Sequence, residues 1–102
     1  MPSETKLMFV VLLRFAANKA QAGQFMDGHK QWLKRGFEDG VFLLAGSLEP
    51  SLGGAIMAHN TARAELERRV NEDPFVAEKV VSAELIEIEP AKADARLQFL
   101  VN

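Results

Sequence analysis

The run Lys6 to Phe15 (KLMFVVLLRF) constrains this chain more than any other segment. Its apolar residues are consecutive rather than alternating, so a strand built from it is apolar on both faces. At about ten residues it is short for a buried helix. A fold containing it has to cover both sides of that strand, and the rest of the chain supplies cover in recognisable pieces. Ala22, Phe25, Met26, Trp32, Leu33 and Phe37 recur at spacings of three and four, the stripe of an amphipathic helix, after a polar and small-residue entry from Asn18 to Ala22. Gly40 stands where a left-handed cap ends that helix. Val41 to Ser47 (VFLLAGS) is a second apolar run of β character. The turn residues Glu49 to Gly54 (EPSLGG) predict an antiparallel return over Ala55 to His59. Asn60 and Thr61 offer N-cap oxygens to a second helix, whose apolar face is Ala62, Leu66 and Val70 and which ends near Asn71. Beyond the turn Asp73-Pro74-Phe75, residues Val80 to Ile88 predict a fourth strand. The alternation from Leu85 to Glu89 makes it half-buried, and Pro90 stops it.

The order is β-α-β-β-α-β, an α+β ferredoxin-like arrangement in which two helices cover one face of a four-stranded antiparallel sheet. At 102 residues there is room for one such domain, over residues 1–90, with a tail over residues 91–102. The other sheet face is left bare and apolar, which predicts a homodimer or higher homo-oligomer assembled through it. Leu97, Phe99 and Val101 alternate along the tail and predict an extra strand at that interface.

Twelve Lys plus Arg against fourteen Asp plus Glu give a net charge of -2, too little positive field to gather a nucleic-acid backbone. The longest apolar segment, Leu7 to Phe15, is interrupted by Arg14 and far short of the roughly twenty residues a membrane helix needs. It has neither the basic flank nor the cleavage site of a secretion signal. With no cysteine, the chain has no disulfides, thiolate metal sites or cysteine nucleophiles. These features predict a cytoplasmic protein with no nucleic-acid or membrane partner.

Chemistry is sparse. His29 is the one histidine on an otherwise apolar helix stripe, where a partner would fix its tautomer. Such a placement is more often a histidine at the rim of the core, bonded to a backbone carbonyl. Asp73 before Pro74 is what a short helical turn uses as its cap, and a capping carboxylate can also serve a site. An acid beside an imidazole holds one ring nitrogen protonated and leaves the other free to move a proton. The two lie forty-four positions apart, on segments this topology packs side by side, which permits contact without requiring it.

The helix bearing His29 (GHKQWL), the glycine that ends it, the segment Leu44-Ala45-Gly46 and Asp73-Pro74-Phe75 before the last strand together resemble the YCII-related (YciI-like) family, over about Lys6 to Pro90. The resemblance implies a dimeric α/β barrel fold related to muconolactone isomerase. It implies His29 and Asp73 as a catalytic pair in a small cleft, with no cofactor and a small molecule as ligand. One branch of the family removes chloride from a chlorinated hydroxyquinol, so the implied chemistry is proton transfer of lyase or isomerase type with the substrate open. On that reading His29 is the general acid or base and Asp73 orients it. Trp32 and Phe75 then wall an apolar pocket, although aromatics at helical spacing ordinarily pack the core. The chain departs from the pattern at Ser47, where a proline is common. A hydroxyl there is either a ligand contact or a turn residue. The loop between the second and third strands is also short, and Phe25 and Met26 stand where a basic residue often precedes the histidine, which argues against an anionic substrate. Arg14 or Lys79 could substitute for that residue, although either is more simply a solvated side chain.

A metal site from His29, His59 and Asp73 has suitable ligand types but lacks the close spacing of metal motifs, so no metal is expected. His59, beside the cap of the second helix, is expected at the surface. Gly53-Gly54 is not a phosphate loop, and Arg68-Arg69 is a helix-face pair. Two non-catalytic readings remain open: a domain that binds a small ligand through the same pair, and one that only assembles.

Overall fold

In the computed structural model, which describes residues 6–101, four strands form one antiparallel sheet in the order β2-β3-β1-β4. They are β1 (Met8–Phe15), β2 (Phe42–Leu48), β3 (Gly53–His59) and β4 (Val81–Ile88). Helix α1 (Ala22–Glu38) links β1 to β2, and α2 (Arg63–Asn71) with the one-turn α3 (Pro74–Ala77) links β3 to β4. This is the ferredoxin-like α+β fold. No helix of the described residues is long and apolar enough to cross a membrane.

The consecutive apolar residues of β1 do face both ways. Phe9, Val11 and Leu13 are buried under the helices, in one cluster with Trp32, Phe42, Ile56, Leu66, Val70 and Phe75. Val10 and Leu12 point to the helix-free face, where register places Leu44, Met57, Val10 and Ile86 in one row across all four strands. Leu44 is 59% and Ile86 40% exposed. The alternation in β4 therefore marks the bare face: Leu85 turns towards the core while Ile86 and Ile88 stand on the open side. At the edge of that face Arg14 pairs with Glu84 at 2.6 Å, both half-exposed.

Helix α1 ends as its sequence predicts. Gly40 takes φ +74, its N–H donates to the Phe37 carbonyl and the Val41 N–H to the Gly36 carbonyl, the paired bonds of a left-handed helix cap. Gly36 is needed for a different reason: a Cβ there would overlap the ring of Phe42, so its absence lets α1 lie directly on β2. At its start, α1 is preceded by a 3-10 turn over Lys19–Gln21.

One expectation is corrected. The residue capping α2 is Ala62, whose side chain accepts nothing; Asn60 sits in the left-handed region at φ 57, and the Thr61 hydroxyl donates to the Ala62 carbonyl. The chain is still leaving the sheet there, with the His59 N–H bonded to the Val41 carbonyl, and the helix begins only after both polar residues. The tail is a 3-10 helix over Ala95–Leu100 and not a strand in the single chain. Asp94 accepts from the Arg96 N–H and side chain at 2.9 and 3.0 Å, which starts the turn and holds the Asp94 carboxyl below its usual range. Leu100 is buried, and Phe99 meets the half-buried ring of His59 edge-on, with centroids 5.5 Å apart.

Candidate active site

The site is assembled where α1 meets the short segment after α2. Asp73 is the N-cap of α3, with Pro74 in the first position, as an Asp-Pro turn dictates. Its Oδ1 accepts the Phe75 N–H at 3.0 Å and stands 2.9 Å from His29 Nδ1. The two readings of Asp73, cap and histidine partner, are both true of the same oxygen atom. If Asp73 is the ionised partner it can only accept, so the contact calls for the proton on His29 Nδ1, and in that neutral tautomer Nε2 is the free ring nitrogen.

The surroundings divide the pair into a buried half and an open half. Asp73 is 0% exposed, and its Oδ2 has no hydrogen-bond partner among the described residues. Burying a carboxylate costs several kcal/mol unless its oxygens are paired, so such an atom in a stable fold calls for an explanation beyond capping. The His29 side chain keeps 14% of its surface. Its Nε2 makes no hydrogen bond to a described residue, and it is not among the buried atoms that lack one. That nitrogen therefore keeps some solvent contact, so a proton can reach it.

Phe75 and Trp32 hold the imidazole. The Phe75 ring lies parallel to His29, centroids 4.1 Å apart at 3°, and covers one of its faces. Trp32 follows His29 by one helical turn, stacks at 5.9 Å, and donates its indole N–H to the Arg69 carbonyl at 2.8 Å. The Arg69 guanidinium in turn reaches Asp39, at the end of α1, at 2.9 Å. The end of α2, four residues before Asp73, is thus tied to α1 at two points about two helical turns apart. Trp32 is 1% exposed, so it supports the site from within the core and presents no wall to a ligand. No sequence signal announces the Arg69 carbonyl, because any residue could supply it.

The other candidates lie apart. Ser47 is exposed on the edge strand β2, opposite Gly54, and no hydrogen bond joins it to His29 or Asp73. Arg14 is engaged by Glu84, and Lys79 is an exposed residue at φ 61. His59 belongs to a different region: with Lys6, Asn60, Arg63 and Phe99 it lines an open groove of about 780 Å³. A second hollow of about 340 Å³ is lined by Arg63, Glu67 and Leu85, and neither includes His29 or Asp73. The pair opens on the surface beside α3 rather than into either of these. Among the described residues no three of His, Asp and Glu gather as metal ligands.

No family model and no curated protein matches the sequence. Among solved structures, the chain is similar to 5-chloro-2-hydroxyhydroquinone dehydrochlorinase (TftG) from Burkholderia phenoliruptrix AC1100, in complex with 2,5-dihydroxybenzoquinone. The TM-score is 0.64 at 12% identity, over 84% of this chain and 95% of that one. At that identity the likeness speaks for the fold, and it places this chain in the same α+β architecture as a lyase-type enzyme.

Proposed function

We propose that the chain is a YciI-like small-molecule enzyme of lyase or isomerase type, acting as a homodimer without a cofactor, in which His29 moves the proton and Asp73 orients it. The observation that carries this reading is the wholly buried Asp73 oxygen on His29 Nδ1 at 2.9 Å, with Nε2 left open. In the reaction Nε2 takes a proton from a carbon or hydroxyl of the substrate. The electron pair left behind either expels a leaving group such as chloride or is reprotonated by the same imidazolium at another atom. The imidazolium is opposed by the Asp73 carboxylate and lies against the face of Phe75, a placement worth about 0.5–2 kcal/mol to a cation.

Among the described residues no cation is bonded to or stacked on the pair, and its neighbours Trp32 and Phe75 are aromatic, which favours a flat, weakly acidic substrate over a strongly anionic one. Hydroxylated quinones and chlorinated hydroquinones are the first compounds to try, given the fold shared with the dehydrochlorinase. His29→Gln keeps the size of the side chain and removes the base. It should lower kcat by about 10²–10⁴-fold with little change in KM. Loss of affinity with no turnover in the wild type would instead make the domain a binder, and an unaffected variant would leave only assembly.

A further inference from the structure

The residue before His29 has no side chain, and the space it leaves is occupied. A Cβ on Gly28 would stand 3.0 Å from Cγ and 3.7 Å from Cβ of Pro74, the residue after Asp73. Adjacent residues of α1 and of the α3 turn are thus matched in register: Gly28 meets Pro74 as His29 meets Asp73. We propose that Gly28 is a positioning residue for the His29–Asp73 pair, because the close seat of α1 on Pro74 sets the distance at which Nδ1 meets Oδ1. The inference rests on the functional reading above only in giving that distance a purpose.

Pro74 can yield to a methyl group in two ways. Its ring can repucker, or it can move with the backbone to which it is fused. The second displaces Asp73 as well, since the bond from the Phe75 N–H to Asp73 Oδ1 makes the turn one unit. A shift of a few tenths of an ångström away from α1 lengthens the bond to His29. Gly28 also runs against local preference: glycine within a helix is unfavourable relative to alanine. Gly28→Ala is therefore expected to move two observables in opposite directions, which a merely structural role would not do. Helix stability is maintained or raised while the pair loosens.

The test is the tautomer of the His29 ring, read from its Nδ1 and Nε2 nitrogen shifts in ¹⁵N-labelled protein without substrate, with His29→Gln to assign them. In Gly28→Ala the ratio of Nδ1–H to Nε2–H rings should fall by roughly threefold to tenfold, the range spanned by one net hydrogen bond, with no drop in Tm. Gly28→Ala combined with Pro74→Ala removes the opposing Cγ and should restore the wild-type ratio. An unchanged ratio in Gly28→Ala, meaning that the proline ring absorbs the methyl, overturns the proposal, as does a double variant that fails to recover. A Gly28→Ala variant too unstable to measure contradicts the expected Tm and likewise overturns the proposal. Because the ratio is read without substrate, a shifted ratio with an active His29→Gln would sink the functional reading alone.

Discussion

Asp73 Oδ1 accepts from two donors, and this separates two substitutions that sequence comparison would treat alike. Asn caps a helix about as well as Asp, so Asp73→Asn should keep the Phe75 bond and lose little stability. It replaces the anion opposite His29 with a neutral amide, so turnover should fall by about 10²–10⁴-fold, as removal of a tautomer-fixing acid does. Asp73→Ala loses both functions, and the cap alone should cost about 0.5–2 kcal/mol in urea denaturation. Equal stability losses in the two variants would argue that the His29 contact, and not the cap, is what the fold depends on. Sequence reading reached this residue because Asp-Pro is a local signal. It could not reach the 2.9 Å contact, which depends on how two helices separated by two strands come to lie together.

The elements themselves were legible where the pattern is a property of the segment. Strand β1 follows from consecutive apolar residues, α1 from its stripe and from Gly40, the hairpin from Pro50 and the paired glycines. Where position depends on neighbours, the reading was less direct: Asn60 and Thr61 fall short of the cap of α2, and the alternating tail is a 3-10 helix in the single chain, started by the Asp94 cap. Gly36 is another feature hidden from pattern, since nothing in the sequence says that the ring of Phe42 lies above it. Gly36→Ala pits a better helix former against overlap with a buried ring. The overlap should win, with a loss of about 1–3 kcal/mol by circular dichroism against urea. A neutral or stabilising result would mean that α1 rises off β2 without penalty.

At the scale of the molecule, the bare sheet face is the feature that a single chain leaves unresolved. The row Leu44, Met57, Val10 and Ile86 crosses all four strands with water on one side, bounded by the pair Arg14–Glu84. A small domain rarely leaves such a stripe uncovered. The proposed homodimer covers it, and Leu44→Glu with Ile86→Glu should convert the dimer to a folded monomer in light scattering, because neither side chain belongs to the core. A wild-type monomer at micromolar concentration would remove the dimer from the proposal. The charged row would then be expected to change nothing but solubility.

In the proposed reaction the shared oxygen of Asp73 also serves as a gauge of the charge on His29. When Nε2 gains a proton, the imidazolium draws harder on Oδ1, and the Phe75 amide, bonded to that same atom at 3.0 Å, has to share what is left. The backbone resonance of one buried phenylalanine thereby records each change of charge on the histidine beneath its ring, with no label placed at the reacting atom.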